Sequence, residues 1–486
     1  MSAAPKVDAA LWRTAFVLVL GTFMATLDST IVSVGVEVLA DRFDAAVTDV
    51  QWVSTAYLLA VVAAVPASGW LANRFGGRRT WLAAVVVFVL ASVLCALAWS
   101  LPSLVAFRVL QGLAGGLLPP TGQALLARAA GRERIGRVLA VVSVVPLLSP
   151  VLGPLVGGSV LAVADWPWLF AVNVPIGAVA VLLALRAVPA APPAATRTPF
   201  DARGALLLSP GLAVLVFGLT GLEGGTPPAV SAGSIAVGAA MLVGFVVHGL
   251  RTTRAPLVDP RLFARPPFGV AALALVLLGA SVFGTMFLLP LYLQGAGGLT
   301  AWETGLLLAP QGVGAAVAAI AINRAVVTAS PRTLVLTGIV LVAVGTAPFT
   351  QLHHDLPDVA VALSLLVRGA GAAMIGAPVM NIVYSRIEPA HLPGAASALN
   401  LLSTLGGSLG TAALAVVLQA RLDTHGSDAS AAFADTFWWV LALAVVAALG
   451  ATRLPRPEAP GRARIPNEPT TASASRNPSE KDPADA

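Results

Sequence analysis

Only a few charged side chains fall inside the apolar stretches of this sequence, and their chemistry is the first clue to function. Asp28 stands in the middle of one such stretch, and Arg108 and Arg368 lie in two others. A charge at the centre of a membrane helix costs about 2.5–3.5 kcal/mol on insertion scales, so such residues are expected to be functional. A carboxylate in that position could accept and release protons, which makes Asp28 the leading candidate for proton coupling.

Each of these residues also has a structural alternative. Asp28 could form a static ion pair, and a guanidinium, which stays charged when buried, could clamp backbone carbonyls at Arg108 or Arg368. Glu37 lies near the outer end of the first apolar stretch. It is either a second protonatable carboxylate, which would attract cations to a cavity mouth, or simply an interfacial residue.

The composition requires that these charges sit in a membrane protein. Of the 486 residues, 57% are hydrophobic and 11% are charged, and the mean hydropathy is +0.86, whereas a soluble domain carries about 25% charged residues. The first apolar run is too long for a cleavable signal peptide. We therefore expect an integral membrane protein whose partners include the lipid bilayer.

Several chemistries are excluded or disfavoured by residue type. The two lysines, Lys6 and Lys481, lie in the tails, so no P-loop is present and no nucleotide is expected to bind. The single cysteine, Cys95, excludes an intrachain disulfide and a cysteine metal site. The segment 353–355, His-His-Asp, supplies too few ligands for a metal ion. We expect no metal, no cofactor and no enzymatic activity.

Apolar stretches of about 20 residues, the length that crosses a bilayer, occur fourteen times. The candidates are 14–38, 50–72, 80–99, 103–125, 135–161, 167–187, 203–222, 231–250, 269–293, 303–323, 332–351, 358–380, 395–418 and 435–453. Gly, Pro or charged residues interrupt 303–323 and 358–380.

The distribution of charge tests this count. With the N-terminus inside, Arg42 and Arg421 are the only basic residues in outer loops, which are otherwise acidic. A missed span would invert every later loop, so the positive-inside rule indicates an even count with both termini cytoplasmic. The net charge of +6 is therefore a topology signal and not a nucleic-acid footprint.

A weak internal repeat divides the chain. Arg108 opens RVLQGLAGGLLPP and Arg368 opens RGAGAAMIGAP, so each arginine falls in the fourth span of a six-span half. Repeated halves are typical of secondary transporters, whose substrate site lies between them. The predicted divisions are an N-terminal segment, 1–13; a first half, 14–190; an inserted helix pair, 200–250; a second half, 266–453; and a disordered cytoplasmic tail, 454–486.

Four segments carry a family resemblance. WVSTAYLLAVVAAVPASGWLANRFGGRR (52–79), FRVLQGLAGG (107–116), LGPLVGG (152–158) and WPWLFAVNVPIG (166–177) resemble the signatures of the major facilitator superfamily, and within it the fourteen-span drug:H⁺ antiporters. The resemblance implies an all-α membrane fold with two six-helix halves and two inserted helices. It also implies that Arg108 biases a carboxylate or holds a water during proton transfer.

The loop between the second and third spans departs from the family pattern. Asn73 stands where an aspartate is usual, and it cannot form an ion pair, which weakens a charge relay at this loop. The resemblance assigns a cytoplasmic gating loop to Gly69, Asn73, Arg74, Gly76, Arg78 and Arg79.

The fifth span contains PLLSPVLGPLVGG, residues 146–158, with three prolines and three glycines in an apolar run. Its prolines recur every four residues and form one stripe, and small residues form the adjoining stripe. The bent helix and smooth face favour a close helix contact, either as simple packing or as a contact that opens during transport. The resemblance identifies the segment as an antiporter motif, with Pro150, Gly153, Pro154, Gly157 and Gly158, and implies export.

Polar and aromatic residues in the spans are tentative cavity residues, with ordinary packing as the alternative for each. They are Trp52, Tyr57, Gln111, Asn173, Tyr292, Gln294, Gln311 and Asn400.

The sequence therefore predicts a proton-coupled exporter of small amphipathic or hydrophobic compounds in the plasma membrane, working by alternating access. The alternatives are a dedicated metabolite exporter, a proton-coupled importer and a non-transporting sensor.

Overall fold

In the computed structural model, every regular element among the described residues is a helix. The described residues are 8–142, 145–190, 199–223, 226–253, 256–261, 268–325, 330–352, 356–385, 387–388, 391–426 and 428–452. The predicted disordered tail and the 353–355 segment lie outside them.

The first half of the chain contains the helices that carry Asp28 and Arg108. They are α1 (Ala9–Ile31), α2 (Val36–Phe43), α3 (Val47–Ala64), α4 (Ala67–Phe75), α5 (Gly77–Ala96), α6 (Leu101–Gly115), α7 (Leu118–Val142), α8 (Val145–Val163), α9 (Trp168–Ala171) and α10 (Asn173–Ala187).

The rest of the chain forms an inserted pair and a second half. The pair is α11 (Ala202–Thr220) and α12 (Pro228–Arg251). The second half contains α13 (Phe268–Gly295), α14 (Ala301–Ala325), α15 (Pro331–Thr346), α16 (Asp358–Tyr384), α17 (Leu392–His425) and α18 (Ala429–Ala451). The two interrupted stretches, 303–323 and 358–380, are thus long helices, α14 and α16.

Twelve helices within the described residues are long and apolar enough to cross a membrane. A thirteenth span is formed if the bent pair Asp49–Ala64 and Ala67–Phe75, which turns by 57°, is one crossing. The predicted fifth span, 135–161, is divided between the end of α7 and α8, because residues 143–144 lie outside the described part. An all-helical membrane protein is therefore confirmed, with twelve to thirteen spans by length and composition.

The breaks in these helices have local causes. Pro66 cannot donate a backbone hydrogen bond, and α3 ends two residues before it. Gly76, between α4 and α5, has φ +90°, and Gly131, inside α7, has φ +68°. Both values lie in the left-handed region that glycine adopts most readily. The chain can therefore turn sharply at each position.

Small residues allow the helices to approach closely. A Cβ atom on Gly338 of α15 would lie 2.7 Å from the carbonyl oxygen of Gly371 of α16, and one on Gly371 would lie 2.6 Å from that of Gly338. A Cβ atom on Gly112 of α6 would likewise meet the backbone carbonyl of Tyr57 on α3. Lipid tails are as apolar as these helices, so the hydrophobic effect does not drive the helices together in a membrane. Close backbone packing of this kind stabilises the helix pairs instead.

The two halves meet near one end of the bundle, where Gly69 of α4 lies against Gly394 of α17. This end, which we call the basic end, also contains two contacts within the first half: Arg134 pairs with Asp8, and Arg78 donates to the Leu185 carbonyl. The inserted pair packs against both halves. Trp52 of α3 stacks on Phe217 of α11 with ring centroids 5.7 Å apart, and α11 also contacts α17.

Candidate functional site

A buried ion pair joins α1 to α6 in the first half. The Nη1 atom of Arg108 donates to Asp28 Oδ2 at 2.5 Å, and neither side chain is exposed to solvent. The two charges that the sequence places 80 residues apart are therefore partners. Each neutralises the other in a region where an isolated charge would be costly.

Amide side chains complete the hydrogen bonds of the carboxylate. Asp28 Oδ1 accepts from Asn173 Nδ2 at 2.7 Å and from Gln111 Nε2 at 2.9 Å. Gln111 Nε2 also donates to Ser92 Oγ at 2.7 Å, and Gln111 Oε1 accepts from Arg108 Nη1 at 2.7 Å. The cluster thus ties α1, α5, α6 and α10 together.

The guanidinium of Arg108 is fixed by two further contacts. Its Nε donates to the carbonyl oxygen of Val53 at 3.0 Å, and its Cζ lies 4.1 Å from the centroid of the Tyr57 ring. The Tyr57 hydroxyl donates to the Ala25 carbonyl at 2.9 Å. Arg108 is therefore both the ion-pair partner of Asp28 and a clamp on the backbone of α3.

The guanidinium of Arg108 has three acceptors on three helices. Asp28 Oδ2 lies on α1, Gln111 Oε1 on α6 itself and the Val53 carbonyl on α3. The contact with α1 depends on the charge of Asp28, whereas the contacts with Gln111 and Val53 do not. Glu37 is exposed on α2, beyond the 3₁₀ turn Val32–Gly35 that ends α1, and so lies apart from this cluster.

The second half repeats the arginine without the carboxylate. Arg368 of α16 is fully buried, and its Nη2 donates to the Ser281 carbonyl of α13 at 2.6 Å. Its Nε donates to Thr346 Oγ1 at 3.2 Å. None of the ion pairs between described residues includes Arg368.

Two of the three glycines of the 146–158 segment, Gly153 and Gly157, face α1 close to Asp28. A Cβ atom on Gly153 would meet the side chain and backbone of Thr30, and one on Gly157 would lie 3.0 Å from Ile31. A Cβ atom on Gly158 would meet nothing within 4 Å. The structure describes Pro150 and Pro154 only as parts of the α8 backbone.

The predicted gating residues lie at the basic end. A Cβ atom on Gly69 would be 3.0 Å from Gly394 Cα in the second half. The Arg74 guanidinium lies 6.0 Å from the Phe75 ring centroid, and Arg78 donates to the Leu185 carbonyl at 2.6 Å. Asn73 is half-buried and Arg79 is exposed.

Hydrogen bonds between the halves lie at the same end of the bundle. The Ser397 hydroxyl donates to the Val65 carbonyl at 2.7 Å, next to the break at Pro66. Gln123 Oε1 accepts from Asn400 Nδ2 at 2.8 Å and from the Tyr384 hydroxyl at 3.2 Å. The structure thus has the basic end closed by direct contacts.

The remaining predicted cavity residues are dispersed. Trp52 is 44% exposed and contacts the inserted pair. Tyr292 lies near the other end, where its hydroxyl donates to the Leu352 carbonyl at 3.4 Å. Gln294 is exposed, whereas Gln311 is buried in α14.

Sequence reasoning missed several partners. Ser92, Gln123 and Thr346 take part in the contacts above but were not singled out. Gln123 could have been found by the criterion that selected Gln111, since both are amides in an apolar span. Serine and threonine carry no such signal, because their hydroxyls usually bond to the carbonyl one turn earlier. Within the described residues, no three His, Cys, Asp or Glu side chains cluster as metal ligands.

Comparisons with known proteins show the family of the chain. The sequence profile of the family described as Major Facilitator Superfamily matches residues 18–411. The "Multidrug resistance protein B homolog" of Mycobacterium tuberculosis is 36% identical, over 85% of this chain and 77% of that protein. The "Tetracenomycin C resistance and export protein" of Streptomyces glaucescens is 31% identical, over 85% of this chain and 76% of that protein.

A solved structure shares the fold at low sequence identity. The proton:xylose symporter XylE superposes with a TM-score of 0.62 over 91% of this chain and 95% of its own, at 17% identity. This likeness supports the arrangement of the helices only.

Proposed function

The chain belongs to the Major Facilitator Superfamily and is a membrane transporter, and from that premise we propose that it exports small amphipathic or hydrophobic compounds in exchange for protons. Two of its relatives are named for drug resistance, and one of them for export as well. The antiporter-type segment 146–158 supports the same direction.

The observation that carries this proposal is the buried ion pair between Asp28 and Arg108. A proton entering from the acidic side would neutralise Asp28 and weaken its link to Arg108 on α6. The glycines of α8 pack on α1 within three residues of Asp28. Movement of α1 would therefore displace α8, the helix that carries the antiporter-type segment. The two halves would then rock about the substrate site between them.

The proposed topology has fourteen spans with both termini in the cytoplasm. The twelve long helices, the bent pair α3–α4 and a fifth span composed of the end of α7 and α8 make up this number. The basic end then faces the cytoplasm of a plasma-membrane protein, as the positive-inside rule requires. The divisions at 1–13, 14–190, 200–250, 266–453 and 454–486 follow from this topology.

The partners in this proposal are a small-molecule substrate, protons and the lipid bilayer. No nucleotide or nucleic acid enters the cycle, because the proton gradient and the membrane potential supply the driving force. The potential contributes about 2.3 kcal/mol per net charge per 100 mV.

Inverted membrane vesicles with an acidic interior provide the test. Addition of a transported compound to wild-type vesicles should release protons from the interior, and Asp28→Asn should abolish that release. Purified Asp28→Asn protein that still binds the compound would show that coupling, not folding, was lost. Undiminished proton release in the variant would overturn the assignment of Asp28. No release with any compound in the wild type would overturn antiport.

A further inference from the structure

Arg368 has polar contacts but no charge to balance it among the described residues. Its guanidinium is fully buried between α13, α15 and α16, where it donates to Ser281 and Thr346. Its Nη1 atom has no hydrogen-bond partner within the part of the chain that the structure describes. A buried guanidinium that lacks a counter-charge is unfavourable unless an anion reaches it.

The repeat shows what is missing. In the first half, Arg108 of α6 is paired with a carboxylate on α1, the first helix of that half. In the second half, the group on α13 that receives Arg368 is Ser281, which is neutral. Among the described residues, the first half thus supplies an anion to its arginine, and the second half does not.

Two more buried polar groups, on helices that contact α16, have no hydrogen-bond partner among the described residues. They are Gln311 Nε2 on α14 and Thr285 Oγ1 on α13, and both residues are at most 5% exposed. Gly369, the residue after Arg368, lies against the backbone carbonyl of Gln311, so α14 and α16 are in contact at this position. Thr285 lies one helical turn beyond Ser281 on the same face of α13.

We propose that Arg368, Gln311 and Thr285 form a site in the second half that binds a monovalent anionic group, either a carboxylate on a transported compound or chloride. One cation and two neutral donors match a single negative charge, and none of the ion pairs between described residues brings a carboxylate to Arg368. The site is closed in this structure, so the anion enters when the halves move. That the carboxylate belongs to a transported compound rests on the proposed export function; anion binding itself does not.

The test uses purified full-length protein and needs no proton gradient. The midpoint of thermal unfolding is followed by tryptophan fluorescence at constant ionic strength, during titration with sodium benzoate, with the neutral isostere benzamide and with sodium chloride. A ligand that binds the folded state raises this midpoint in a saturable way. Because export is not measured, loss of the proposed function would leave this result unchanged.

The variants are Arg368→Gln, Gln311→Leu and Thr285→Val, with Thr436→Val as the matched control. Thr436 is also fully buried, but its hydroxyl donates within α18 to Ala432. We expect at least one anion to stabilise the wild type and benzamide to have no effect. The apparent Kd for that anion should rise about tenfold in Thr285→Val and Gln311→Leu, as loss of a hydrogen bond to a charged group implies.

The outcomes separate the sources of the anion. Stabilisation by benzoate that chloride does not displace supports a substrate carboxylate, and stabilisation by chloride alone supports an inorganic anion. If Arg368→Gln does not fold, Thr285→Val still decides the question. Equal effects of benzoate and benzamide, no saturable effect of either anion, or unchanged Kd values in Thr285→Val and Gln311→Leu would overturn the proposal.

Discussion

Asp28 accepts hydrogen bonds from two helices, so its charge state bears on more than its own helix. Arg108 and Gln111 reach it from α6, and Asn173 reaches it from α10. When either charged partner is removed, the other keeps several polar contacts. Arg108 would retain Gln111 and Val53, and Asp28 would retain its two amide donors.

This redundancy leads to a prediction about stability. Asp28→Asn and Arg108→Gln should each lower the unfolding midpoint, and the double variant should be destabilised by less than the sum of the two. We expect a coupling energy of about 1–3 kcal/mol, because both substitutions remove the same ion pair. Thermal unfolding of the four purified proteins measures it, and strictly additive effects would contradict the pairing.

At the scale of elements, neighbouring glycines of α8 differ in their contact with α1. Gly153 and Gly157 lie against Thr30 and Ile31, whereas a Cβ atom on Gly158 would meet nothing. The same added methyl group should therefore have different effects at neighbouring positions. This difference provides a matched pair of variants.

Gly153→Ala should slow export about tenfold, because its methyl group would displace α1 beside Asp28 at a cost of about 1–3 kcal/mol. Gly158→Ala should transport at the wild-type rate. Initial rates of efflux at equal expression compare the two. A Gly153→Ala protein as active as Gly158→Ala would show that this contact does not carry the cycle.

The contact between α4 and α17 offers a second test. A Cβ atom on Gly69 would press on Gly394, while one on Gly394 would point into open space. Gly69→Ala should therefore disfavour the closed basic end, and a penalty of about 1 kcal/mol would open it about fivefold more often.

Maleimide labelling of a Ser397→Cys background detects this opening, because Ser397 is fully buried in the contact. The labelling rate should rise with Gly69→Ala and stay constant with Gly394→Ala. Equal rates in both variants would indicate that the halves separate elsewhere.

At the scale of the whole molecule, the charge distribution predicts which end of the bundle faces the cytoplasm. Asp49 and Asp358 are exposed at the start of α3 and of α16, and Arg251 is exposed at the end of α12. With fourteen spans, the two acidic positions lie outside and Arg251 lies inside. This pattern requires an even number of spans between Asp49 and Asp358 and an odd number between each of them and Arg251.

A membrane-impermeant maleimide should label Asp49→Cys and Asp358→Cys in intact cells, and it should label Arg251→Cys only after the cells are opened. The natural Cys95 is fully buried and should contribute little background. Labelling of Arg251→Cys in intact cells would contradict the proposed orientation.

The sequence by itself determined the helices and the buried charges. Apolar length predicts α14 and α16 in spite of their interruptions, because a membrane favours helices wherever the run is long enough. Because a charge inside the membrane is unfavourable, Asp28, Arg108 and Arg368 are identified as candidate functional residues from the sequence alone. These inferences use local composition, which the linear chain carries in full.

Only the tertiary structure decided which groups those charges meet. Asn173 is 145 residues from Asp28, and Gln111 is 83 residues from it. Their amides were selected only as possible cavity residues, since nothing in the sequence directs them to one carboxylate. Arg108 and Arg368 read alike in sequence, yet one meets a carboxylate and the other a serine. Packing across the bundle places Asp28 of α1 against Arg108 and Ser281 of α13 against Arg368, and these long-range pairings cannot be read from the linear chain.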